Sequence, residues 1–109
     1  MDLKKSVKIR HANSFFAKLK GLMFERKKNF NYCLIFDMKK QAKFRNSIHM
    51  FFVFFPILVL FCDNEKKVVD KKILKPFCPL YIPKKPARYI LEMPTKFENK
   101  IKLDEKINW

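Results

Sequence analysis

Residues 45–63 read Arg45-Asn-Ser-Ile-His-Met-Phe-Phe-Val-Phe-Phe-Pro-Ile-Leu-Val-Leu-Phe-Cys-Asp63, and this block decides the fold class. A helix needs about 20 apolar residues to cross the hydrocarbon core of a bilayer. The run from Ile48 to Cys62 has 15 residues and carries His49. Pro56 would also remove a hydrogen bond and clash with the preceding turn of any continuous helix. Phenylalanine, valine and isoleucine instead suit a packed pleated surface, where proline is accepted at the first residue of a strand or on an edge. The block therefore predicts two extended, buried segments that meet at Pro56, and no transmembrane segment.

Outward from the block, Asp63-Asn64-Glu65 supplies turn chemistry, so Pro56 to Cys62 and Lys66 to Ile73 are expected to form a hairpin. Val7 to His11, Tyr32 to Phe36 and Arg88 to Met93 read as further strands, and Lys39 to Lys43 as a solvated turn. Asn13 or Ser14 would cap a brief helix over Phe15 to Lys20, stopped by Gly21, the one glycine of the chain, in a left-handed conformation. Four prolines between Pro76 and Pro86 disfavour helix there, and Phe77, Leu80, Tyr81 and Ile82 are expected to anchor that stretch as a cover. The tail, with Ile101, Leu103, Ile107 and Trp109, predicts a last short strand or hairpin with Trp109 against the body. Many short strands with one brief helix make a mainly β barrel or sandwich, a single domain over residues 1–109.

Lys+Arg 25 against Asp+Glu 10 gives a net charge of +15. That field attracts phosphates, nucleic acid or anionic membranes without specifying any of them. The abundance of Lys, Phe, Ile and Asn beside scarce Gly and Ala is also the pattern an AT-rich genome imposes, which accounts for part of the charge. Cys33, Cys62 and Cys78 are odd in number and form no Cys-x-x-Cys pair, so reduced thiols are expected. Met1 to Ser14 has lysines but no apolar core of a secretion signal, and a cytoplasmic location follows as an expectation.

Three segments taken in order carry a family resemblance: Lys20-Gly-Leu-Met-Phe24, the block with His49, and Pro83-Lys-Lys-Pro-Ala-Arg-Tyr-Ile-Leu-Glu92. The chain resembles the proteins called domain of unknown function 192, or uncharacterised protein family 0127, in an archaeal-like branch, from about Ile9 to Trp109. The resemblance implies a compact, jelly-roll-like β-barrel with a small helix near the N-terminus, and no agreed biochemical role. Relatives usually read Pro-Ile-Asp or Pro-Leu-Asp where this chain has Pro56-Ile57-Leu58. Their aspartate would need partners on an apolar face, which the resemblance places at Lys18, Lys20 or Arg45, so its loss is expected to leave a more cationic pocket. Thr95-Lys96 and Asp104-Glu105 stand where relatives place glycine-containing turns, so those turns must be built differently.

No nucleophile elbow, zinc-protease helix, phosphate-binding glycine loop or paired histidines at metal spacing occurs, so no catalytic residue, metal or cofactor is assigned. The candidate ligand-binding residues are Arg45, Asn46, Ser47 and His49 at a pocket mouth, with Lys18, Lys20 and Arg88 as a basic rim. In that role His49 carries a proton and Arg45 grips an anion. The plainer readings are a core histidine bonded to a backbone carbonyl, and Arg88 paired with Glu92 four residues along one strand face. The sequence thus favours a non-catalytic binder of a small molecule or anion. The alternative is a basic RNA-binding module that stacks bases on Phe44, Tyr81 and Tyr89.

Overall fold

Ile57–Cys62 forms a strand in which all six residues are buried. A continuous apolar run has no face to give to water, so such a strand must be central and covered on both sides. The computed structural model describes residues 1–12, 21–43, 46–50 and 52–109. The helix expected over Phe15 to Lys20 lies outside these, as do Lys18, Lys20, Phe44 and Arg45.

A short helix α1 (Leu3–Ser6) leads into β1 (Lys8–His11), and β2 (Tyr32–Ala42), β3 (Ile57–Cys62), β4 (Val68–Leu74) and β5 (Ala87–Met93) follow. They assemble into one sheet in the order β1-β2-β5-β3-β4. β1 runs parallel to β2, and the other pairs are antiparallel. The mainly β class is as expected, but the sheet is open, with β1 and β4 at its edges. Closure is replaced by covering: the C-terminal tail lies along β4, where Val68 donates to Glu105 (2.9 Å) and Ile107 donates to the Lys66 carbonyl (2.9 Å). Such a cover protects an exposed ladder from further pairing.

Period-two alternation sorts the side chains cleanly. Leu34, Phe36, Val59, Phe61 and Ile90 face one core together with Met50, Val53 and Phe55. Cys33, Ile35, Leu58, Leu60 and Leu91 face the other, covered by Leu3, Phe97, Ile101 and Ile107. The hairpin is built as the turn residues require: Asp63 Oδ1 accepts from the N–H of Glu65 (2.9 Å) and of Lys67 (3.0 Å).

Four expectations are corrected. The first half of the aromatic block is not a strand: Ile48 makes one isolated bridge to Tyr81, and Phe52 turns the chain with φ 58°. Its backbone bonds go to the proline-rich stretch at separate points, which leaves no continuous ladder. Lys39 to Lys43 is not a turn, because β2 continues to Ala42 through a bulge. There Lys39 takes φ 70° and donates its N–H to Asp37 Oδ1 (2.9 Å). Phe77 and Leu80 are exposed, so the proline-rich cover is held by Tyr81, Ile82 and Pro83. The tail makes isolated bridges after a 3₁₀ turn (Thr95–Lys100), although Trp109 does pack edge-on against Tyr89 at 5.1 Å. In place of a glycine turn, Asp104 itself adopts φ 68° and donates to the Val68 carbonyl (2.8 Å).

Leu58 is fully buried on the face opposite Ile48 and Val53, which separates it from the pocket mouth expected at residues 45–49. It lines a shallow concavity with Lys71, whose Nζ donates to the carbonyls of Glu98 (2.8 Å) and Ile101 (2.9 Å). An ammonium has three donors. A carboxylate at position 58 would therefore share its concavity with the Lys71 ammonium. In a double-mutant cycle Leu58→Asp should cost less beside Lys71 than in a Lys71→Met background, with a favourable coupling of about 1 kcal/mol or more. Urea unfolding of the four proteins measures it, and additive costs would show that the two positions do not meet.

Candidate functional site

A pocket of about 100 Å³ lies between the sheet and the residues that cross it, 21–23, 47–49 and Val53. Phe36 and Met38 of β2 and Ile90 and Glu92 of β5 form its floor, and Leu22 and Val53 are among its apolar walls. Ser47, Ile48 and His49 line it from the crossing segment. Gly21 lies over the floor with φ 51°, the left-handed conformation its sequence context predicts. A Cβ there would sit 3.5 Å from the Phe36 ring and 3.7 Å from Glu92 Oε1, which is ordinary contact. The backbone angle, and not crowding, is what asks for glycine.

Glu92 is the chemically distinctive member. It is paired in register with Leu34 on one side and Val59 on the other, and only 4% of it is exposed. Among the described residues nothing donates a hydrogen bond to its Oε1. An ionised carboxylate without water or a cation is disfavoured, so burial pushes this carboxyl up to about 8. At neutral pH it is a protonated acid, which both donates and accepts.

The sequence candidates are divided by the fold. Ser47 and His49 come to the pocket. Asn46 is buried beneath the crossing segment and donates Nδ2 to the carbonyls of Lys40 (2.9 Å) and Ala87 (2.7 Å), tying the segment to β2 and β5. Arg88 does not pair with Glu92. It grips Asp37 through Nε (3.0 Å) and Nη2 (3.2 Å), and that hydrogen bonding holds the Asp37 carboxyl down to about 2. Arg45, Lys18 and Lys20 lie outside the described residues. Cys33 and Cys62 are buried free thiols, both pushed up by burial, Cys62 to about 12.

Glu92 was read from the sequence only as one end of a surface ion pair. The signal that marks it is its setting in Ile90-Leu91-Glu92-Met93, one carboxylate inside an apolar run on a strand paired at both edges.

The DUF192 family model, described as Uncharacterized ACR, matches residues 1–109. The chain belongs to the DUF192 family. A UPF0127 protein of Pyrococcus horikoshii is 40% identical over 103 residues, which is 93% of this chain and 86% of that protein. UPF0127 proteins of Thermococcus sibiricus (35% identical) and Thermococcus kodakarensis (36%) match 94% of this chain each. The chain spans only 66% and 64% of their respective lengths. Among solved structures, a protein of unknown function from Novosphingobium aromaticivorans superposes with a TM-score of 0.80 at 19% identity, covering 93% of this chain and 74% of that one. A Sinorhizobium meliloti protein superposes at 0.77 and 17% identity, covering 90% and 78%. These likenesses establish the fold of this DUF192 protein and carry no activity with them.

The sign of the Glu92 effect on stability follows from its raised value. Between the ordinary glutamate value of 4.5 and about 8 the unfolded chain has lost this proton while the folded one keeps it. Stability therefore falls as pH rises through that window and levels off above it. Glu92→Gln should remove this slope, matching the parent near the bottom of the window and exceeding it by a few kcal/mol above the top. Denaturant unfolding across the window measures the difference, and equal slopes for the two proteins would show that Glu92 is ionised throughout.

Proposed function

We propose that this DUF192 protein is a non-catalytic binder of a small ligand, whose polar group enters the pocket over Glu92. The observation that carries this reading is the buried carboxyl whose Oε1 meets no donor among the described residues and lies against an apolar-walled pocket. Few other side chains in a folded protein leave such a group unmatched, and those that do call for an explanation. A cavity of roughly 150 Å³ takes benzene. A pocket of about 100 Å³ suits a head group of that order or smaller, with the rest of the ligand outside.

A protonated acid donates to an oxygen acceptor, so the pocket favours carboxylates, amides and related oxygens over amines. Anionic ligands fit for the same reason and gain from the +15 charge. Hydrolytic use of Ser47, His49 and Glu92 would need an ionised carboxylate orienting the imidazole. Glu92 instead favours its proton, and nothing donates to its Oε1 among the described residues.

Protein-observed NMR titration with short-chain carboxylic acids, amides and amines tests the proposal. Acids and amides should shift Gly21 and His49 resonances, and Glu92→Leu should abolish the effect. Affinity in the parent should fall as pH rises past about 8, where the proton leaves Glu92. Binding unaltered by Glu92→Leu, or a preference for amines, would count against it.

The second reading, a basic RNA-binding module, draws on the +15 charge. Two of its stacking candidates are already engaged, Tyr81 with the Phe61 ring at 5.7 Å and Tyr89 with Trp109. Weak, non-specific binding is therefore expected, and it should collapse between low and physiological salt because counterion release drives it. A filter-binding titration with single-stranded RNA decides this, and sequence-selective binding that survives physiological salt would promote the second reading over the first.

A further inference from the structure

Four phenylalanines form one exposed cluster beside the pocket. Phe24 and Phe52 stack at 4.9 Å, Phe52 meets Phe77 edge-on at 6.3 Å, and Phe77 meets Phe54 at 5.1 Å. All four are exposed, from 45% for Phe52 and Phe77 to 64% for Phe24. Phenylalanine has no polar atom to repay contact with water, and exposed apolar patches rimmed by polar residues mark interaction surfaces.

The backbone beneath the cluster is strained in a repeated way. Phe24, Phe52 and Phe77 have φ of 63°, 58° and 61°, the left-handed region that bulky side chains avoid. Backbone bonds hold them there. Phe24 donates to the Phe52 carbonyl (2.8 Å), Phe77 donates to the Met50 carbonyl (3.0 Å), and Met50 donates to the Cys78 carbonyl (2.7 Å). Three separate loops are thus tied into one knuckle that presents rings outward at a conformational cost, as strain held for function does.

The surrounding charge selects the occupant. Arg26, Lys27, Lys28 and Lys75 are exposed on the same loops. The one acid among residues 21–28, Glu25, is engaged by the Tyr32 hydroxyl (2.8 Å) and the Arg26 N–H (3.2 Å). A second copy of this chain would bring the same cations against themselves. Single-stranded nucleic acid stacks on open ring faces, and Phe24 and Phe52 each give one face to the other. An anionic lipid surface offers a negative plane over an apolar layer, which matches a phenylalanine cluster set among lysines.

We infer that the Phe24, Phe52, Phe54 and Phe77 knuckle, with Arg26, Lys27, Lys28 and Lys75, docks this protein on anionic membrane surfaces by inserting the rings at the headgroup boundary. Met23 and Val53 of the pocket lining are chain neighbours of Phe24, Phe52 and Phe54, so docking brings the pocket mouth near the lipid interface.

Co-sedimentation with vesicles of phosphatidylcholine alone, and of phosphatidylcholine and phosphatidylglycerol in equal parts, tests the inference. The parent should bind the anionic vesicles and not the zwitterionic ones. Replacing rings should weaken binding by about tenfold for each ring withdrawn. Asparagine accepts positive φ, so the combined Phe24→Asn, Phe52→Asn, Phe77→Asn variant should unfold no earlier than the parent while losing the vesicles. Phe54→Ser gives a second variant without a backbone change, and Glu92→Leu should leave vesicle binding intact, separating this inference from the pocket reading. The idea is overturned if the parent ignores anionic vesicles, or if the ring variants bind them as the parent does. It is equally overturned if those variants lose only self-association in sedimentation velocity, or only binding to a single-stranded oligonucleotide.

Discussion

The burial of β3 on both faces is the constraint from which the rest of the architecture follows. Six consecutive apolar residues, paired by β4 on one edge and β5 on the other, leave no side of the strand available to water. Each face must therefore be roofed, and the described residues hold little helix with which to do it. One roof is made by α1 and the C-terminal tail through Leu3, Phe97, Ile101 and Ile107. The other is made by irregular chain, which meets the sheet through Met50, Val53 and Phe55. A roof of loops on a twisted sheet does not seal everywhere, and the gap it leaves over Phe36, Ile90 and Glu92 is the pocket.

Glu92 stands at that gap because β5 is central. A carboxyl between Leu34 and Val59 has neighbours that offer it nothing, and the low dielectric around it keeps its proton in place. Burial that would be a defect in a closed core becomes a recognition element where an apolar cavity opens beside it. Asn46 is the complementary case. It is equally buried, and its Nδ2 donates to two backbone carbonyls, which fixes the segment that carries Ser47 and His49, while its Oδ1, like Glu92 Oε1, meets no donor among the described residues.

A chain with a single glycine must take left-handed turns with other residues, and this one does so at Phe24, Lys39, Phe52, Lys66, Phe77 and Asp104. Asp104 serves the turn that packs the tail against β4, and Lys66 serves the β3–β4 hairpin turn, where its N–H donates to the Asp63 carbonyl (3.0 Å). Lys39 serves the bulge in β2. The three phenylalanines differ, because their strain displays apolar rings and buries none of them fully. Backbone economy explains the first three, while the shared position of the aromatic ones on one knuckle points to a surface with a purpose of its own.

What the sequence determined by itself was local. Pro56 and the length of the apolar run exclude a spanning helix and place β3. Asp63-Asn64-Glu65 defines the hairpin, period-two alternation sets which residues of β3 share a face, and Gly21 marks a left-handed position. These rest on steric and hydrogen-bonding preferences that act within a few residues of the chain. Tertiary structure decided what depends on long-range pairing. The extension of β2 through a bulge, the failure of residues 48–50 and 52–55 to form a strand and the partnership of Arg88 with Asp37 all turn on neighbours remote in sequence. The role of Glu92 belongs to the same group. An Arg and a Glu four apart on a strand look like a surface pair until the strand is known to be central. Only the flanking strands, by removing water from that carboxyl, turn it from a surface charge into a buried acid facing a pocket.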